Sequence, residues 1–155
     1  MFRNLNTNRN IQKISVGLLP FILTVWLVLP VQVSAQTCSG TSSNGVLIIT
    51  SDVATCTYSG STALKNTVNI SDTLNITGNI NSLSNNSFYN SGRIGSLNIS
   101  GNLTPTGTQS FINEINKTIS NVITSGTIAT DVINYGNITS WLNTGTIKNK
   151  VFLPG

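Results

Sequence analysis

A short phrase of glycine, one spacer and an apolar residue recurs along the second half of this chain and narrows what it can fold into. It reads Thr77-Gly78-Asn79-Ile80, Ser91-Gly92-Arg93-Ile94, Ser100-Gly101-Asn102-Leu103, Ser125-Gly126-Thr127-Ile128, Tyr135-Gly136-Asn137-Ile138 and Thr144-Gly145-Thr146-Ile147. A glycine that permits a tight turn, followed by an inward apolar side chain, is how a chain rounds a corner. The glycines lie 14, 9, 25, 10 and 9 residues apart, a basic step of nine or ten. Two steps make about nineteen residues, within the range of solenoid rungs.

Between the glycines the sequence is rich in Ile, Val and Thr, broken by Asn and Ser, without helix-forming runs. This pattern predicts an all-β fold, a parallel β-helix whose inward Ile, Leu and Val stack into one core and whose turns carry asparagine ladders. A β-sandwich with evenly spaced strands is the alternative; recurrence of the phrase in one local frame favours the solenoid. Repeats are expected over 61–155, less regular over 105–124. There Pro105 and Gly107 mark a turn, and Phe111, Ile112, Ile115 and Ile119 fit either a short helix or a degenerate rung.

The first 35 residues read as a secretory signal peptide, expected to be helical. Arg3, Arg9 and Lys13 precede an apolar run from Leu18 to Val31, and Val33, Ser34 and Ala35 place the cut between Ala35 and Gln36. An uncleaved anchor is the competing reading, weakened by Pro20, Pro30 and a run near the lower length limit for spanning. A lipoprotein is excluded by the poor approach to Cys38. Export implies an oxidising compartment, so Cys38 and Cys56 are expected to form one disulfide. Its loop of about nineteen residues would add roughly 3 kcal/mol. Residues 36–60 are thus expected to form a disulfide-closed cap over the first rung. The expected location is the periplasm, the outer-membrane surface or the extracellular space.

Past residue 35, five cations (Lys65, Arg93, Lys117, Lys148, Lys150) face four acids (Asp52, Asp72, Glu114, Asp131). The basic balance therefore belongs mostly to the leader, and no patch suited to nucleic acid remains. With no histidine, the usual Ser-His-Asp and Cys-His systems are unavailable in sequence, as is a closed zinc site. The four acids are scattered and no phosphate loop occurs, so neither catalysis nor a cofactor is expected. Seven glycosylation sequons occur, at Asn69, Asn75, Asn85, Asn98, Asn102, Asn116 and Asn137. In a chain so rich in Asn, Ser and Thr, chance accounts for them more simply than glycosylation does. Phe88, Tyr89, Tyr135 and Trp141 are the aromatics nearest the repeat frame, able to stack on sugars or to fill the core. Ice binding would need Thr-x-Thr ladders on a flat face, and only Thr106-Gly107-Thr108 fits.

The leader, the cysteine-containing segments Thr37-Cys38-Ser39-Gly40 and Ala54–Gly60, and the Asn-x-Gly-x-Ile repeats together resemble the start of a bacterial autotransporter passenger. The resemblance implies an outer-membrane or cell-surface protein, commonly an adhesin, whose β-helix is exported through a C-terminal β-barrel. No functional residue carries over, and no barrel segments are present in this sequence. Two readings follow: a non-catalytic surface module, the passenger stub of an adhesin, or a stand-alone secreted or periplasmic repeat protein binding carbohydrate. Expected partners are the export machinery and host or cell-surface glycans. The segment Lys148–Gly155 offers no polar cap, so edge-to-edge self-association at that end, or a truncated reading frame, is also expected.

Overall fold

The computed structural model describes residues 36–83 and 85–153, which form a β-solenoid of about six turns. The chain begins with β1 (Gln36–Thr37) and a hairpin of β2 (Gly40–Ser43) and β3 (Val46–Ile49). The hairpin turn is Asn44-Gly45, both left-handed (φ 49° and 74°), the pairing that a two-residue turn favours. Next come β4 (Val53–Tyr58), β5 (Ala63–Asn66), β6 (Asn69–Ile76), β7 (Asn86–Asn90) and β8 (Arg93–Ile99). They are followed by β9 (Gln109–Asn113), β10 (Thr118–Thr124), β11 (Thr127–Ile128), β12 (Asp131–Asn134), β13 (Asn137–Asn143), β14 (Thr146–Ile147) and β15 (Val151–Phe152).

These strands stack into three faces. Face A carries β1, β4, β6, β8, β10 and β13, and face B carries β2, β3, β5, β7, β9, β12 and β15. Face C is a narrow column, Ile80, Leu103, Ile128 and Ile147 in successive rungs. Every strand pairing is parallel except the β2–β3 hairpin. At the N-terminal end, β1 and β2 cover the first strands, whereas β3 and β4 already pair in parallel with β5 and β6.

Like sits on like because the faces keep register on either side of one-residue bulges in β6 on face A and in β9 on face B. Inside face A run Ile70, Ile94, Ile119 and Ile138, and beside them Leu74, Leu97, Val122 and Trp141. Inside face B run Leu47, Leu64, Phe88, Phe111, Val132 and Val151. Most of these are fully buried, and each buried Ile or Leu contributes about 1.5–3 kcal/mol. Aromatic rings thread the centre: Phe88 and Phe111 lie 5.4 Å apart, Phe111 and Trp141 5.6 Å.

At the corner from face B to face A, apolar residues give way to a buried column of Asn66, Asn90, Asn113 and Asn134. Each Nδ2 donates to the next Oδ1, at 2.9, 2.8 and 2.7 Å. Ile49 precedes the column in register, so the ladder starts where an apolar stack ends.

The uniform step of nine or ten residues needs correction. Column residues Cys56, Leu74, Leu97, Val122 and Trp141 give rungs of 18, 23, 25 and 19 residues. The last rung is two steps long, as the spacing predicts. The rungs of 23 and 25 residues each hold four more between faces C and B: eight positions from Ile80 to Phe88 and from Leu103 to Phe111, against four from Ile128 to Val132. The 25-residue rung gains its last two at the B-to-A corner, where Asn113 to Thr118 spans five positions and Asn90 to Arg93 three. Residues 105–124 are therefore a degenerate rung, with β9 and β10 in place of the short helix that the apolar spacing also allowed.

The role of the repeated glycines also differs. Among the described residues Gly45 is the glycine with positive φ, so the recurring glycines are not required for a left-handed turn. They are required for room. A Cβ on Gly101 would lie 1.9 Å from the Gly78 carbonyl oxygen, and one on Gly126 2.0 Å from that of Gly101. The six phrases split between two corners. Gly78, Gly101, Gly126 and Gly145 stack at one, while Gly92 and Gly136 meet the backbone of preceding rungs at the other.

Candidate functional site

Cys38 and Cys56 are joined, with Cα atoms 4.9 Å apart. Cys56 is in register with Leu74, so the disulfide fills the first place in that inward column. Gln36 pairs with Cys56 through β1. Ala35 and the rest of the expected leader, and hence the cut itself, lie outside the described residues.

Faces A and C present neutral polar ladders outward. On face A, Asn98 donates to Asn75 at 3.0 Å and Ser140 to Asn121 at 2.7 Å. On face C, the Asn102 N–H donates to Asn79 Oδ1 at 3.0 Å and the Thr127 N–H to Asn102 Oδ1 at 2.9 Å. Such ladders pair side chains along the axis, though Asn98 Oδ1 is buried with no donor among the described residues, and leave a surface of amides and hydroxyls.

Face B is different. Its outward column is Ile48, Lys65, Tyr89, Ile112, Ile133 and Phe152. The Lys65 ammonium sits 5.2 Å from the Tyr89 ring centroid, in cation–π contact. Burial, together with the hydrogen bond to Glu114 and that group's charge, raises the Tyr89 phenol above its ordinary pKa. A cavity of about 240 Å³ opens beside this pair, lined by Val46, Ala63, Lys65, Asn85, Asn86 and Tyr89. Asn86 Oδ1 is buried there with no donor among the described residues. Lower on the same side, Tyr135 and Phe152 are exposed, their rings 6.2 Å apart. The arrangement is a mixed apolar and polar shelf able to bind flat, hydroxylated ligands through ring faces.

Of the aromatics named from the sequence, two are interior. Phe88 is fully buried, and Trp141 packs on Phe111 while its Nε1–H donates to Thr124 at 3.2 Å. Tyr89 and Tyr135 point outward. Phe152 and the Lys65–Tyr89 pairing had no sequence signal, because only the rung register brings residues 65 and 89 together. Thr106 and Thr108 lie in a loop between faces C and B and form no flat ladder. Among the sequons, Asn69, Asn85, Asn116 and Asn137 are exposed, whereas Asn75, Asn98 and Asn102 are half-buried in the outward ladders.

Among the described residues no group of three or more Cys, Asp or Glu comes together to hold a metal. No protein-family profile, curated protein or solved structure matches this chain.

Proposed function

We propose that this chain is a non-catalytic, exported β-helix module that acts by presenting surface, the passenger segment of an autotransporter-like adhesin. One observation carries the reading: equivalent rungs repeat along one axis and turn ladders of neutral polar side chains outward. Stacked rungs suit an extended contact surface more than an enclosed reaction site. The leader-like start and the Cys38–Cys56 disulfide support export. Reading the gene beyond the Gly155 codon tests the passenger assignment. In-frame repeats running into a barrel support it; a stop followed by unrelated sequence overturns it.

The shelf on face B favours a second reading, a stand-alone exported protein that binds carbohydrate. Tyr89, Tyr135 and Phe152 are the observation behind it, being outward aromatics gathered on one side. Expression of the full chain in a Gram-negative cell, followed by fractionation, mass measurement and glycan binding, tests this reading. Exported protein that has lost 35 residues and binds sugars through Tyr89 supports it. Reduced protein of full mass in the cytoplasm overturns both readings.

A further inference from the structure

Charged side chains are few here, and the two signs are used differently. Every acid past residue 35 is engaged by its surroundings. Asp52 Oδ1 accepts from the Asn69 N–H at 2.9 Å, and Asp72 accepts from the Thr55 and Thr73 hydroxyls, each at 3.2 Å. Asp131 Oδ1 accepts from the Lys150 N–H at 3.4 Å, and Glu114 is hydrogen-bonded to Tyr89. Among the cations of the described residues, only the Lys65 ammonium has a partner, the Tyr89 ring. No ion pair joins a Lys or Arg to an acid among the described residues.

Two of those unpaired cations line one groove. The B-to-A corner is two residues long at Thr67-Val68, Ser91-Gly92 and Tyr135-Gly136, but four long at Glu114–Lys117. There the Lys117 N–H donates to the Glu114 carbonyl at 3.1 Å and Asn116 takes φ 60°, a β-turn with a left-handed residue that asparagine tolerates. The longer turn borders an open groove of about 520 Å³, lined among others by Asp52, Thr67, Asn69, Ser91, Arg93 and Lys117. It crosses four successive rungs, roughly 14 Å at the usual strand spacing.

We infer that this corner groove binds an acidic glycan, a sugar chain bearing carboxylate or sulfate groups. Arg93 is in register with Thr118, the residue after Lys117, so the two cations belong to neighbouring rungs. A guanidinium fork beside an ammonium suits a planar carboxylate or a sulfate. Further along, the Thr67 and Ser91 hydroxyls, which donate to the Ile49 and Asn66 carbonyls at 2.7 and 3.1 Å, can accept from sugar hydroxyls, and the amide of Asn69 can pair with them in either sense. Asp52, at the far end, can accept from one as well. The groove has no aromatic platform, so binding there depends on charge and weakens with salt. The inference assigns a ligand class to the surface-binding role proposed above and rests on that role.

Calorimetry on the purified full chain tests it, with a uronate oligosaccharide, a sulfated oligosaccharide, a neutral oligosaccharide of equal length, an acidic peptide and inorganic sulfate as probes. The acidic oligosaccharides should bind and the others should not, with affinity falling as salt rises. Arg93→Gln with Lys117→Gln should weaken binding about tenfold or more, through loss of two charge-assisted contacts. Lys148→Gln, on another face, should leave binding unchanged. Both groove substitutions lie at the surface, and an unchanged melting midpoint verifies folding. The inference is overturned if the double variant binds as well as the parent, if sulfate or the peptide matches the glycans, or if no acidic oligosaccharide binds. Neutral-sugar binding lost in Tyr89→Ala but kept in the double variant overturns the groove and leaves the carbohydrate reading standing.

Discussion

The buried asparagine ladder should be the costliest polar feature of this fold to disturb, and Asn90 is the place to test it. Its Nδ2 donates to Asn113 Oδ1 at 2.8 Å and to the Gly92 carbonyl at 3.2 Å. Its Oδ1 accepts from Asn66 Nδ2 at 2.9 Å and from the Gly92 N–H at 3.3 Å. Asn90→Ala removes all four bonds and leaves Asn113 Oδ1 buried without a donor. At about 1 kcal/mol net per bond, with a partial penalty for the orphan, the loss comes to about 3–5 kcal/mol. That is a large share of the roughly 5–15 kcal/mol that holds a typical domain. Asn143 provides the contrast, because it makes the same two bonds to Gly145, at 3.3 Å each, and accepts from the buried Thr124 hydroxyl at 2.5 Å, but is itself exposed. Water can replace the two bonds to Gly145, leaving chiefly the one from Thr124, so Asn143→Ala should cost about 1–2 kcal/mol. Guanidinium unfolding followed by circular dichroism reads both values, provided the slope is unchanged. Costs within about 0.5 kcal/mol of each other would refute the claim that the ladder stabilises through burial.

Asn90→Asp adds a pH signature. Burial raises the new carboxyl's pKa above its unfolded value of about 3.9, so the native state retains a proton that the unfolded chain releases. Stability should then be greatest in acid and decline as pH rises past the unfolded value; denaturation across pH that shows no such decline counts against a buried ladder site. Reduction of Cys38–Cys56, which spans a separation of 18 residues, should cost about 3 kcal/mol, read as a lower melting midpoint of the reduced against the oxidised protein. Gly101→Ala puts a Cβ 1.9 Å from a carbonyl oxygen and should cost at least about 2 kcal/mol, whereas Gly45→Ala meets no atom within 4 Å and should cost about 1 kcal/mol of left-handed strain. Sedimentation at several concentrations should reveal end-to-end association, since β13 is the last described strand of face A and carries exposed Leu142; Leu142→Lys should suppress it. Ultraviolet titration should show a tyrosine component above the ordinary value that disappears in Tyr89→Phe and shifts down in Glu114→Gln.

How legible this fold was depended on whether a residue's role is set by its neighbours in sequence or by the rung above. The parallel stack of β-rungs was readable because Gly-x-Ile places its isoleucine inward by purely local geometry. The ladder was only partly readable. Asn90 and Asn134 precede Ser91-Gly92 and Tyr135-Gly136, so the Asn-x-Gly frame marks them, but Asn66 is followed by Thr67-Val68 and Asn113 by a longer turn. Nothing near those two distinguishes them from the many exposed asparagines; register alone does. Asn143 shows the converse, carrying the marked frame at the other corner while remaining exposed.

The same distinction explains where recognition chemistry should collect. Inward columns would be lost by a one-residue slip, which would turn an isoleucine outward and a threonine inward, so the one extra residue that β6 has over β4 and β8, and β9 over β12, is taken up as a local bulge. The larger differences in length fall between strands, four residues in two rungs and two at a single corner. Two of these three insertions border a concavity: Asn85 beside the Lys65–Tyr89 pair, and Asn116-Lys117 beside Arg93. The regular rungs thus act as a ruler of fixed spacing, and the irregular corners furnish the hollows that could distinguish one ligand from another. Shortening Glu114–Lys117 to the two-residue corner of the neighbouring rungs should therefore leave the β-sheet circular dichroism and the melt close to the parent's while abolishing acidic-glycan binding. A variant that unfolds would refute the division between rigid rungs and variable corners, and one that still binds would refute the groove.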